Sequence, residues 1–381
     1  MHRHAIYFLL LTVFGLTGLG MVMLSSTGAF ALESRGDMYY FLKRQGMWLG
    51  ISLVAATVAG TLDYSLWKRL WPLVFGVTFV LLLLCFVPPF GMRINGSSRW
   101  VNLGFATFQP SELAKVAVIM FLAWWLDRHE PRVCTFVWGF LIPLAVVGIL
   151  AVPILFEVDF GSTALLFAVA LSVLFLAGAN LWILGSMAVV GLLLMFYLAT
   201  HVDERLARIM AFLDPEKYRL SEGLQQWQAL IAFGSGGVDG QGLGAGRQKM
   251  LYLPYAHTDF IFPMIGEELG LKFTLLTVGG FLLICLCGVQ VALNARDRFG
   301  TLLGFGCVVM ITIQAAVNIG VTTSLLPNKG MPLPFISFGG SDLLICYIMV
   351  GLLVSIHRHG RPHERPVSHA LGRATSTYCK L

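Results

Sequence analysis

Leu253-Pro254-Tyr255-Ala256-His257-Thr258-Asp259-Phe260-Ile261-Phe262, followed by Gly266-Glu267-Glu268-Leu269-Gly270, decides how this chain is read. Three carboxylates and a histidine stand there among residues apolar enough for a bilayer. Ionisable groups in or at the edge of a membrane are costly, so such a cluster is a functional site by default. Asp259 lies between Thr258 and an apolar run, where partial desolvation raises its pKa toward that of a usable general base. His257 is the rival base, its ordinary pKa being nearer neutrality. Helix N-capping is the purely structural alternative for Asp259. Glu267 and Glu268 are suited to orienting nearby bases.

Outward from this stretch the composition is that of a membrane protein. Apolar residues make up 57% of the 381-residue chain and charged ones 12%, against about 25% charged in soluble domains. The mean hydropathy is +0.78. The first apolar run, about Ala5 to Phe30, is too long for a signal-peptide core and reads as a retained span. At about 20 apolar residues per crossing, ten spans are expected, starting near Ala5, Gly46, Trp71, Glu112, Gly139, Ser162, Trp182, Lys272, Thr301 and Leu343. The predicted fold is an all-α polytopic membrane protein of ten transmembrane helices, with a large extracytoplasmic loop between the seventh and eighth. One integral membrane domain covers 1–358, with outer loops at about 89–111, 200–271 and 324–342, and 359–381 form a flexible basic cytoplasmic tail.

An even number of spans puts both termini on one side. That side carries Lys68, Arg69, Arg128, Arg132, Arg296, Arg298 and the arginines of the tail, and the positive-inside rule makes it the cytoplasm. The opposite side keeps Lys43, Arg44, Arg93, Arg99 and Lys329, which suggests an anionic ligand there. A net charge of +6 is ordinary for a protein beside anionic lipid and is no evidence for nucleic acid. The seven cysteines lie mostly in apolar runs without metal-ligand spacing, so structural thiols are expected, with no disulfide framework or zinc site.

Gly240-Gln241-Gly242-Leu243-Gly244-Ala245-Gly246-Arg247-Gln248-Lys249 lacks the Ser or Thr that follows a Walker lysine. Its backbone amides, with Arg247 and Lys249, are instead suited to a phosphate or diphosphate, a flexible solvated loop being the alternative. Arg99 and Trp100 suit a lipid headgroup at the interface or a plain aromatic belt. In Gln109-Pro110-Ser111-Glu112, capping explains Ser111 and Glu112 at the start of the fourth helix. Glu157, Asp159 and Gly161 could bind a cation, pair with outer arginines, or be solvated. Asn318 and the Pro/Gly-punctuated run Pro327 to Ser341 are expected to wall the site.

Together these motifs are recognisable. Phe41-Leu42-Lys43-Arg44-Gln45, Arg99-Trp100, Gln109 through Lys115, Gly240 through Lys249 leading to His257-Thr258-Asp259, and Pro332-Leu333-Pro334-Phe335-Ile336-Ser337 occur in one order over about residues 5–358. The chain resembles the SEDS family (shape, elongation, division and sporulation proteins), most like its division branch FtsW and second its elongation branch RodA. Departures are Tyr255 where the family usually has Glu, Val158 for Pro, Ser324 for Gly, and Asp342 for Ser.

The resemblance implies a peptidoglycan glycosyltransferase of the inner membrane, multi-pass and placed at the division septum. It polymerises lipid II into glycan with a class B penicillin-binding protein and other divisome membrane proteins. Asp259 is then the catalytic base. Lys43, Arg44, Arg99, Trp100, Gln109, Glu112, Lys115, Arg247, Lys249, His257, Glu267, Glu268, Lys329 and Ser337 bind substrate. The chemistry leaves room for a divalent cation, Mg or Mn, to assist the bases or replace them, and no organic cofactor is implied. The competing readings are a lipid II flippase, a polymerase of cell elongation, and a scaffold for a transpeptidase.

Overall fold

The computed structural model describes residues 2–28, 37, 39–94, 97–102, 104, 107–200, 203–250 and 252–360. The basic tail beyond residue 360 lies outside them. The chain is a helical multi-pass membrane protein. Its helices are α1 (His2–Thr27), α2 (Tyr40–Thr61), α3 (Tyr64–Leu84), α4 (Pro110–Arg128), α5 (Ile142–Phe156), α6 (Phe160–Leu176), α7 (Leu181–Thr200), α8 (Asp203–Leu213), α9 (Leu224–Gly236), α10 (Ile261–Leu293), α11 (Arg298–Thr322) and α12 (Gly340–Arg358). A π-helical turn, Val137–Leu141, leads into α5. Six of the described helices are long and apolar enough to cross a membrane: α1, α3, α5 with its π turn, α10, α11 and α12.

The elements start where local chemistry puts them. Asp63, Asp159 and Asp297 cap α3, α6 and α11, each accepting a bond from a first-turn amide. Pro110 opens α4, where its missing N–H removes nothing the helix needs. α4 is the core helix, packed against α3, α6 and α11, and its apolar residues from Val116 to Ala123 are all buried. α2 packs on α12, and α1 on α10.

Two features correct the sequence reading. The connection after α3 is not loop alone but carries a small antiparallel sheet, β1 (Gly91–Ile94), β2 (Ser97–Asn102) and β3 (Thr107–Phe108), in the order β1-β2-β3. Met92 faces Trp100 and Val101 faces Phe108 across it. The segment 200–271 is likewise structured: it holds α8, α9 and a short first arm of α10 from Ile261, while the long arm of α10 starts just after Gly270, near the expected Lys272. Among the cysteines, Cys85, Cys285, Cys287, Cys307 and Cys346 are free thiols. Cys134 is disulfide-bonded, against the expectation of none.

α10 is two helices joined at Gly270, whose φ of 76° and ψ of −173° stop the helical ladder. A side chain there would collide with the backbone of 238–240, so only glycine fits. The break orphans the carbonyls of Glu267 and Glu268 and the amides of Leu271 and Lys272, and the segment 237–242 supplies all four partners. Gln241 N donates to Glu267 O (2.9 Å) and Gly242 N to Glu268 O (3.0 Å), while Leu271 N donates to Gly237 O (3.0 Å) and Lys272 N to Val238 O (3.5 Å). The short arm Ile261–Leu269, buried from Ile261 through Glu268, is thereby fixed as a separate rod.

The side chains of Glu267 and Glu268 complete the clamp. Arg247 N donates to Glu267 at 2.8 Å and Gly244 N to Glu268 at 2.9 Å. Lys249 pairs with Glu268 at 2.6 Å, both side chains being almost wholly buried, and also donates to Ser26 and to Gly244 O. Ser26 itself donates to Glu268, so the end of α1 is tied to the same knot. Breaking a buried ion pair leaves one charge uncompensated, at a cost of about 3–5 kcal/mol. Lys249→Met is therefore expected to lower the detergent melting temperature strongly, and adding Glu268→Leu should recover much of the loss. Additive losses in a double-mutant cycle would contradict this.

Candidate functional site

Asp259 sits in the turn that precedes the short arm of α10. Tyr255, at φ 59°, starts this turn, and its carbonyl accepts from Thr258 N at 3.0 Å. The N-cap position of α10 is Phe260, with no side-chain cap, so the capping explanation of Asp259 fails. Asn318 holds the turn from α11, donating to Asp259 O at 2.9 Å and to Met331 O at 2.6 Å. Ser337 holds it from the other side, donating to Thr258 O at 2.6 Å while accepting from Leu333 N. Gln45 of α2 then binds Ser337 O and Gly339 N. The backbone of the turn is thus bonded on two sides while the Asp259 carboxylate has no hydrogen bond from the described residues.

Burial pushes the Asp259 carboxyl up to about 6, against the opposing charges of Lys329 and Arg99. The same physics acts in reverse on His257, where burial lowers the ring to about 4. His257 lies 4.4 Å from the Phe41 ring and 6.1 Å from Phe338, and its carbonyl accepts from Phe338 N. Its ring packs against Phe41 and Phe338, and burial leaves the Asp259 carboxylate the more basic of the two groups.

A turn from Glu157 to Asp159 gathers the cations. Arg99, on β2, donates to Glu157 O at 3.2 Å and Val158 O at 2.8 Å. Lys329 pairs with Asp159 at 3.2 Å, and Ser162 fixes that carboxylate through its amide and hydroxyl. Burial would raise the Asp159 carboxyl, but Lys329, Arg99 and Ser162 together hold it below the usual range. Gly330, next to Lys329, lies so close that a β-carbon there would be 2.4 Å from Asp259 Oδ2. The structure therefore brings Asp259, Lys329, Asp159 and Arg99 into one electrostatic unit.

The remaining sequence candidates fall elsewhere. Glu112 and Lys115 form a buried ion pair within α4, where Lys115 also donates to Gln314 at 2.7 Å and Gln314 to Asp342 at 2.7 Å. Gln109 donates from its side chain to Ser111 and from its amide to Ser341. Lys43 pairs with Asp37 at the exposed surface, Arg44 donates to Tyr40, and Trp100 is half-buried in the sheet. The glycine loop spends amides on Glu267 and Glu268, so Lys249 is a structural clamp and Arg247 is left exposed beside it. Sequence reasoning missed Gln45, Gln314 and Gly330. The two glutamines carried a readable signal, being amides inside otherwise apolar helices.

Residues 6–362 match the family described as Cell cycle protein, FtsW/RodA/SpoVE. A protein named probable peptidoglycan glycosyltransferase FtsW from Geobacter metallireducens is 42% identical over 356 residues, 93% of this chain and 94% of its own length. One of the same name from Trichlorobacter lovleyi is 43% identical over 352 residues, covering 91% and 92%. Among solved structures, a chain from "Structural coordination of polymerization and crosslinking by a peptidoglycan synthase complex" superposes with a TM-score of 0.75 at 25% identity, covering 92% of this chain and 97% of its own. The rod shape determining protein RodA of Thermus thermophilus gives a TM-score of 0.68 at 26% identity, covering 93% and 97%. With a match through nearly its whole length and relatives above 40% identity, the chain belongs to the FtsW/RodA/SpoVE family.

Proposed function

We propose that this protein is a peptidoglycan glycosyltransferase that polymerises lipid II into glycan strands at the outer face of the cytoplasmic membrane during cell division. The observation that carries the reading is Asp259, a half-buried carboxylate without a hydrogen-bond partner among the described residues, faced by Lys329 and Arg99. The acceptor sugar's 4-hydroxyl gives its proton to Asp259 as its oxygen attacks the anomeric carbon of the donor chain. The bond to the undecaprenyl diphosphate breaks, and the leaving group keeps the electron pair. Arg99 and Lys329 meet the charge that develops on it. A single displacement inverts an α-linked donor to a β-linked glycan.

A divalent cation finds no ready donor set, since the described residues hold no group of three or more His, Cys, Asp or Glu placed to bind one. Lys329 already occupies Asp159, so no step is routed through a metal.

Ten spans are proposed, adding α2, α4, α6 and α7 to the six apolar helices. Both termini are then cytoplasmic, because α1 starts and α12 ends beside a basic belt. In that belt Lys68 meets Asp127, Arg298 meets Glu130 and Ala177 O, and Arg358 meets Gly60 O. Asp259 lies at the opposite end. A place for the protein at the septum and a partnership with a class B penicillin-binding protein and other divisome proteins belong to the same proposal, supported by the relatives named FtsW and by the neighbour from a peptidoglycan synthase complex.

A flippase needs charge near the bilayer midplane. Lys115 stands five residues into α4, roughly 8 Å from its start at 1.5 Å per residue. Its charge is closed off by Glu112, Gln314 and Asp342, which favours the polymerase.

Asp259→Asn keeps the size of the side chain but cannot take the proton. It is expected to lower polymerisation of labelled lipid II, read on gels, by about a hundredfold to ten-thousandfold, with the melting temperature unchanged or raised. A variant that polymerises at the unaltered rate would remove Asp259 as the base. Gly330→Ala places a methyl against Asp259, and a displacement near 1 Å at a reacting group costs about a hundredfold. A rate within twofold of the original would show that the carboxylate position is not critical.

A further inference from the structure

α3 and α5 face each other across a groove of about 830 Å³, within the roughly 300–1,000 Å³ typical of ligand pockets. Phe79, Leu83 and Phe86 wall one side, and Gly148, Val152 and Phe156 the other. The α5 residues recur at spacings of three and four and form one stripe, and the groove exists because Gly148 contributes no side chain to it. A β-carbon at Gly148 would meet nothing within 4 Å. From Ala145 to Phe156 the groove runs roughly 16 Å along α5 at 1.5 Å per residue. That is about half the thickness of a hydrocarbon core.

The groove ends at the candidate site. Phe86 follows the end of α3, and Phe156 is the last residue of α5. The next residue is Glu157, whose carbonyl accepts from Arg99. Arg99 spends its bonds on two neutral carbonyls and no carboxylate, so its charge at the mouth of the groove is only partly offset by Asp159 nearby. Glu157 does not cancel it. Its carboxyl is buried beside the Cys85 thiol, and burial pushes the group up to about 8, which favours the neutral acid. An apolar channel of outer-leaflet depth therefore leads to a cation that belongs to the same unit as Lys329 and Asp259.

We infer that the α3–α5 groove seats the first isoprene units of the polyprenyl chain of the lipid-linked substrate, with its diphosphate at Arg99. This rests on the glycosyltransferase reading and names the subsite that reading requires. The chain is already out of water in the bilayer, so the groove supplies packing and orientation rather than hydrophobic transfer. It fixes the diphosphate in register with the base.

The test fills the groove from its open wall. Gly148→Phe is compared with Gly50→Phe, which adds the same bulk at an exposed position of α2, away from the groove, where a β-carbon also meets nothing. Each variant is assayed with a donor carrying the full polyprenyl chain and with one carrying two isoprene units. Gly148→Phe is expected to raise KM for the long-chain donor about tenfold and leave the short-chain donor within twofold, with Gly50→Phe unchanged for both. Equal effects on both donors, or on neither, overturn the proposal.

A second measurement does not depend on turnover. A photoreactive benzoylphenylalanine replacing Ile149 should cross-link undecaprenyl diphosphate, and excess unlabelled polyprenyl diphosphate should compete where phosphatidylglycerol does not. Competition by phosphatidylglycerol would make the groove an ordinary lipid contact. Cross-linking by a protein that polymerises nothing would keep the groove and remove the glycosyltransferase reading.

Discussion

The exchange of backbone hydrogen bonds at Gly270 is the constraint on which the rest of the site depends. A membrane helix broken in its outer part must satisfy four peptide groups without water, and the turn-rich run 237–242 does so from the side. That leaves the short arm of α10 rigid and buried, with Asp259 just before its first residue. The same run positions the amides that bind Glu267 and Glu268, and through Lys249 and Ser26 it reaches α1. The glycine-rich loop serves as scaffold for the arm that follows Asp259.

Asp259 is poised by opposing effects. Burial favours its protonated form, and Lys329 and Arg99 favour the carboxylate. Lys329 cannot collapse onto Asp259, because Asp159 already holds it and Ser162 holds Asp159. The carboxylate therefore stays accessible and ionised near neutrality with the cations beside it, the arrangement that the proposed reaction needs for a base and an anionic leaving group. Buried charge satisfied within the protein is the opposite case: Lys115, Glu112, Gln314 and Asp342 bond one another and tie α4, α11 and α12 together.

Much of this was legible in the chain. Asp259 stood out because a lone acid preceded an apolar run, and Arg99 and Lys329 because they were bases on the side that the charge bias reserves for few. The break in α10 was hidden: residues 200–271 read as one outer loop, since hydropathy records no backbone angle and Gly270 is one glycine among 41. The loop from Gly240 to Lys249 misled for a related reason. Amides suited to phosphate oxygens are equally suited to carboxylate oxygens, and the two glutamates are neighbours only in space. Lys115 read as a ligand because nothing in one dimension places Gln314 and Asp342 around it.

Turnover in the proposed reaction depends on the protonation state of Asp259, which a pH profile of single-turnover polymerisation reads directly. The reactive form is the carboxylate, so the rate should fall tenfold per pH unit below a limb at about 6. Lys329→Met removes the charge that favours the carboxylate, and the limb should move to higher pH even as the overall rate drops. A limb near 4, the ordinary carboxylate range, or one that Lys329→Met leaves in place, would contradict the central claim that a desolvated Asp259 facing Lys329 is the base.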